Sequence, residues 1–171
     1  CSKDKRKEAE NFKIIDEESN HTTDITLWQS YGNYAVKVNP PFEPMSETEA
    51  DASYDLPYTR LPHPKYAGKS LSAYEMIKFS VNLHRGCFGG CAFCAIAAHQ
   101  GKHITSRSER SILEEVKQLT LMPDFKGYLS DLGGPSANMY KKGGKNKDVC
   151  KKCKRPSCLH PVVCKNLKCD H

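Results

Sequence analysis

The sequence predicts an α/β fold organised around one βαβ unit. Three features in chain order carry that expectation: an alternating apolar run at 77–83, an amphipathic helical pattern at 106–119 and a short apolar run at 128–132. In the first, Ile77, Phe79, Val81 and Leu83 alternate with Lys78, Ser80, Asn82 and His84, the period of two that gives an extended chain one apolar face. In the second, Ser108 stands as N-cap, and Ile112, Leu113, Val116 and Leu119 recur at helical spacing. In the third, GYLSDLGGP places a strand from Tyr128 to Leu132 and stops it with paired glycines and Pro135.

Crossovers between parallel strands are almost always right-handed. The segment that follows the first strand and the Gly133-Gly134 turn that follows the second should therefore lie side by side at the carboxyl edge of the sheet, where α/β folds place their chemistry. That first segment, RGCFGGCAFCAIAAHQG, holds three cysteines as C-x3-C-x2-C among several glycines.

Upstream, residues 3–18 have helix-forming composition with only Phe12, Ile14 and Ile15 to bury, the pattern of a solvated helix. Tyr34, Val36 and Val38 mark a short strand that Pro40 and Pro41 end. Residues 39–68 hold six prolines and read as an extended connector, interrupted by a short helix whose Ser46 and Glu49 fit an S-x-x-E capping box.

The chain of 171 residues has a formal net charge of +6, but the charge is uneven. Residues 141–171 hold 10 Lys/Arg against 2 Asp/Glu, leaving 16 against 18 for the rest, so all the basicity belongs to the end of the chain. No run approaches the ~20 apolar residues of a membrane helix, and the chain reads as soluble. Eight of nine cysteines fall in two tight clusters with metal-ligand spacing, which favours a reducing cytoplasm over a secreted disulfide scaffold. A lipoprotein with paired disulfides would also begin at a cysteine such as Cys1, but an internal segment of a longer protein is the preferred reading.

Gly86, Gly89 and Gly90 let the first loop wrap tightly, with backbone N–H groups aimed at an anionic core. Structural zinc would need a fourth ligand there, from His84, His99 or His103. Three thiolates on a four-iron cluster instead leave one iron open to a substrate or cofactor. The glycine content favours the iron–sulfur cluster.

The same loop, with Phe93 just before its last cysteine, resembles the signature loop of the radical S-adenosylmethionine superfamily. Longer stretches, KFSVNLHRGCFGGCAFCAIAAHQGKHITSRSERSILEEV and GYLSDLGGPSANMY together with CSKDKRKEAENFK, YDLPYTRLPHPKY and SCLHPVVCKNL, resemble its YgiQ family. The resemblance implies a 4Fe-4S cluster on Cys87, Cys91 and Cys94, with S-adenosylmethionine chelating the open iron. It further implies reductive cleavage to methionine and a 5′-deoxyadenosyl radical, on an unknown substrate, with flavodoxin or ferredoxin as electron donor. Phe93 would lie by the adenine, and Gly133 and Gly134 would receive the methionine amino group. Pro135 stands where the superfamily often has glutamate, and Asp131 is the substitute considered. Ser106 and Arg107, just ahead of the helix, are candidates for the cofactor's carboxylate.

On this resemblance the fold is a partial radical SAM (β/α) barrel, TIM-barrel-like, with a cysteine-rich C-terminal insertion. Residues 1–70 would pack outside the barrel, 71–140 would form its first βαβ with the cluster loop, and 141–171 would bind metal. About 40 residues after the second strand fall far short of the ~250 of a whole barrel, so metal binding with little or no turnover is expected of this chain alone.

At the basic end, five cysteines run C-x2-C-x4-C-x5-C-x4-C from Cys150 to Cys169. Cys150, Cys153, Cys158 and Cys164 are the candidate ligands of a second metal, zinc or an auxiliary iron–sulfur cluster, and Cys169 is left over. The lysines of KKGGKNK could contact phosphates, but no aromatic residues accompany them for stacking. The competing reading from a different class is a non-catalytic zinc protein whose basic end contacts nucleic acid.

Overall fold

The computed structural model describes residues 3–19, 25–134 and 137–168. In chain order the elements are α1 (Lys5–Ser19), β1 (Leu27–Tyr31), β2 (Tyr34–Val38), α2 (Glu47–Tyr54), α3 (Ser72–Ile77), β3 (Ser80–Asn82), β4 (His84–Arg85), α4 (Ile96–Gln100), β5 (Thr105–Ser106), α5 (Glu109–Thr120), β6 (Asp131–Gly133), β7 (Gly143–Gly144), α6 (Lys147–Lys151) and β8 (Leu167–Lys168). The fold is mixed α/β. The chain divides into two compact units: Cys1–Pro44, Gly86–Ile104 and Lys142–His171 form one, and Met45–Arg85 with Thr105–Lys141 the other.

The second unit contains the expected βαβ. β3 and β6 pair in parallel, with Val81 opposite Leu132 and Asn82 opposite Gly133, and α5 lies between them in sequence. Phe79, Val81, Leu83, Ile112 and Leu119 form the buried cluster, joined by half-buried Val116, Met122, Phe125, Leu129 and Tyr140. Phe79 meets Phe125 edge to face, with ring centroids 5.3 Å apart. Ser108 caps α5 as expected, its hydroxyl accepting from the Ser111 N–H, and the Ser46–Glu49 capping box of α2 is present in both directions.

Three details differ from the sequence pattern. The strand expected from 77 begins only at Ser80, because α3 runs through Ile77 and leaves that side chain 61% exposed. His84, on the polar side of the alternation, is 1% exposed, because β4 turns to pair antiparallel with β5. The second strand is Asp131–Gly133 rather than 128–132, with Tyr128 exposed ahead of it, and Leu113 of α5 faces outward.

In the first unit, α1 is solvated as expected: Phe12, Ile14 and Ile15 are all exposed, and Asp4 Oδ1 accepts from the Arg6 N–H at its start. β2 gains a partner that the sequence did not signal, β1, in an antiparallel hairpin closing at Tyr31 opposite Tyr34. Gly32 supplies the left-handed backbone of that turn, with φ +56°. Among the described residues no helix is long and apolar enough to cross a membrane.

Candidate functional site

The three-cysteine loop begins where the chain leaves β4. Gly86 has φ +90°, and a Cβ built there would lie 1.9 Å from the His103 carbonyl oxygen, so only glycine fits. Two bonds close the base of the loop: the Gly86 N–H donates to Gln100 Oε1 at 3.2 Å and the Cys87 N–H to the Gly101 oxygen at 3.0 Å. Farther in, the Cys94 N–H donates to the Cys91 oxygen at 3.0 Å, forming a tight turn before α4.

Cys87 is buried, Cys94 half-buried and Cys91 exposed, and Phe93 is 93% exposed at the loop's tip. The Gly89 N–H points at Cys87 Sγ, 3.4 Å away. None of the seven described cysteines is in a disulfide. Three thiols on a short glycine-lined loop, with a backbone N–H aimed at one sulfur, suit a 4Fe-4S cluster held by three of its irons. Among the described residues, no three His, Cys, Asp or Glu side chains are grouped closely enough to hold a single metal ion.

The same unit brings the cysteine-rich segment onto this loop. The Cys158 N–H donates to the Phe88 oxygen at 3.0 Å, and the Ser157 hydroxyl donates to the Gly89 oxygen at 2.5 Å. Gly90, with φ +61°, faces the Pro156 carbonyl so closely that a Cβ would come within 2.3 Å of its oxygen. Burial, then the neighbouring Cys164, Cys153 and Cys150, push the Cys158 thiol up from its ordinary range. Burial lowers the Lys102 ammonium in the same unit. Sequence reading found the cysteines but missed Ser157, whose partner lies 68 residues away.

In the second unit, Gly133 ends β6 and its oxygen accepts from the Leu83 N–H at 2.7 Å. Asp131 is exposed and on the same side of the strand, its Oδ1 3.7 Å from where a Gly133 Cβ would be. Gly134 is half-buried, and His84 occupies the space a side chain there would need. Pro135 lies outside the described residues, as does Cys169.

Ser106 and Arg107 are committed to internal contacts. Ser106 Oγ accepts from the Lys141 N–H at 2.9 Å. The Arg107 guanidinium is 1% exposed. Its Nε and Nη2 bond to Ser111 Oγ at 3.2 and 2.8 Å, its Nη1 donates to the Asn82 oxygen at 3.0 Å and pairs with Glu115, and it lies over the Tyr54 ring at 4.4 Å. With its donors used in this way, the guanidinium anchors the first turns of α5 to β3.

Comparison with known proteins gives the class. The family described as Radical SAM N-terminal matches residues 1–80. A "UPF0313 protein" of Bacteroides thetaiotaomicron is 66% identical over 171 residues, all of this chain and 28% of that protein. Its namesake in Porphyromonas gingivalis is 63% identical over 171 residues, again all of this chain and 27% of that protein. One in Methanocella arvoryzae is 48% identical over 170 residues, covering 99% of this chain and 28% of that protein. The chain thus spans little more than a quarter of the length of these curated relatives. No solved structure matches. The family match and these relatives set the likeness of this chain among radical SAM proteins. Within them, it is similar over its whole length to proteins of the UPF0313 family, the YgiQ family of the resemblance above.

Proposed function

We propose that this chain is the cluster- and cofactor-binding portion of a radical S-adenosylmethionine enzyme, with β3, α5 and β6 as the first βαβ of its (β/α) barrel. Cys87, Cys91 and Cys94 would hold a 4Fe-4S cluster, and S-adenosylmethionine would complete its open iron. Bound there and reduced by a donor such as flavodoxin or ferredoxin, the cluster supplies the electron that splits the cofactor's sulfonium. The observation that carries the reading is the three-thiol loop itself: folded by Gly86 and Gly90, with the Gly89 N–H on Cys87 Sγ.

The chain's own residues would bind and orient. Phe93, exposed beside Cys94, offers a flat apolar face to adenine. The Gly133 and Gly134 backbone and the neighbouring Asp131 carboxylate offer acceptors for an ammonium group. Likeness to radical SAM proteins supports an enzyme of this general kind, acting on a substrate that the assigned residues do not specify.

Anaerobic reconstitution with iron and sulfide, followed by visible absorption and electron paramagnetic resonance, tests the proposal. Cluster absorption and a signal that changes on adding S-adenosylmethionine are expected. Iron uptake that persists when Cys87, Cys91 and Cys94 are all alanine would remove its foundation.

A further inference from the structure

Residues 142–168 fold without a core. Leu167 is buried, but Val149, Leu159, Val162 and Val163 are 52%, 42%, 70% and 51% exposed. So little apolar burial does not order a segment of this length. It is nevertheless specifically arranged. β7 pairs with β8, Asn146 caps α6, and Asn166 bridges back to the Asn146 backbone at both ends of its amide. Something other than apolar packing holds it.

The cysteines stand at the turning points of this arrangement. The Cys153 N–H donates to the Cys150 oxygen at 3.1 Å, the Cys164 N–H to the Cys158 oxygen at 2.7 Å, and the Leu167 N–H to the Cys164 oxygen at 2.9 Å. Asn166 Nδ2 donates to Cys150 Sγ at 3.1 Å, and Gly144 leaves room for that sulfur, since a Cβ there would lie 2.1 Å from it. Cys158 lies within electrostatic reach of Cys164, Cys153 and Cys150.

We propose that Cys150, Cys153, Cys158 and Cys164, whose thiols are not grouped closely enough to hold an ion as they stand, are drawn together on one zinc ion when it binds, and that this closed site braces the three-cysteine loop. Four thiolates complete a tetrahedral structural site with no open position, and binding supplies the folding energy that the missing core does not. The four-thiolate zinc unit carries a net double negative charge, which the 10 Lys/Arg of residues 141–171 offset. The brace follows from sequence adjacency: Cys158 is a ligand, and its own N–H, with Ser157 and Pro156 before it, grips residues 88–90. Drawing the four thiols together on the ion fixes that grip.

The site is tested on the whole 171-residue chain by elemental analysis and native mass spectrometry. One zinc per chain is expected, retained when Cys87, Cys91 and Cys94 are all alanine and lost in Cys153→Ser and Cys164→Ser. Iron in place of zinc in the triple alanine variant, or zinc retained by both serine variants, would overturn the site. Because a serine variant can misfold, the brace is read on the unmodified chain by hydrogen exchange before and after zinc chelation. Exchange at residues 86–90 should quicken several-fold, and Ser157→Ala should quicken it with zinc still bound. Unchanged exchange after chelation would overturn the brace.

Discussion

The imidazole of His84 occupies the space above Gly134: a Cβ built on that glycine would lie 2.1 Å from both Cε1 and Nε2 of the ring. The ring is fixed there because its Nε2 accepts from the Met139 N–H at 2.9 Å, in a position only 1% exposed. Gly134 therefore has a packing reason to be glycine, independent of any cofactor contact its backbone makes. The residue just before the cysteine loop's approach and the turn after β6 are locked to one another.

Gly134→Ala is accordingly expected to destabilise the protein by about 1–3 kcal/mol through overpacking. In a His84→Ala background the same change should cost little, because the ring it meets is gone. Urea unfolding of the four members of this cycle measures the coupling. An equal cost in both backgrounds would show that the two residues do not meet.

Burial lowers the His84 pKa from its ordinary value. The unfolded chain then takes up a proton at a pH where the native imidazole stays neutral, so stability should fall as pH drops below ~6.5. The stabilising carboxylates act in a different window. Asp55, held down by the Ser111 hydroxyl and by Arg110, loses its contribution only as pH falls toward its own lower range. Thermal unfolding from pH 7.5 to 5 should show a decline that is shallower in His84→Gln.

Local signals were legible in the sequence, and long-range ones were not. Ser46 with Glu49, and Ser108 ahead of α5, read correctly because a cap is decided within three residues. β1 gave no signal because LWQSY takes its extended form from pairing with β2. His84 read as a polar outward position, yet the β4–β5 pairing and Met139 bury it. Arg107 looked available for a ligand, but its partners Asn82, Ser111 and Glu115 are assembled only when α5 docks beside β3. The cysteines of the candidate site were plain from spacing. The clasp of Ser157 and Cys158 on Phe88 and Gly89 was not, since no spacing rule links residues that far apart.

Glu115 joins two guanidiniums, Arg60 and the buried Arg107. Removing its carboxylate leaves the buried Arg107 guanidinium without its ion-pair partner. Glu115→Ala is expected to cost about 3–5 kcal/mol, the range for breaking one side of a buried pair. The surface pair Lys141–Glu109 provides the contrast: its partners are 49% and 76% exposed, and Glu109→Ala should leave the urea midpoint almost unchanged. Similar midpoints for the two variants would contradict the buried role of Glu115.

Gly86 and Gly127 share a backbone conformation, φ +90° and +89°, but not their surroundings: a Cβ at Gly86 meets the His103 carbonyl at 1.9 Å, whereas nothing lies within 4 Å at Gly127. The pair separates backbone strain from crowding. Gly127→Ala should cost about 1–2 kcal/mol, the strain of a left-handed L-residue, and leave iron uptake intact. Gly86→Ala carries the same strain and also forces the chain away from His103, which breaks the Gly86–Gln100 and Cys87–Gly101 bonds at the base of the loop. Its iron uptake on anaerobic reconstitution should fall well below that of Gly127→Ala at matched folded fraction, measured by circular dichroism. Equal uptake by the two variants would mean that the base of the loop does not position its thiols.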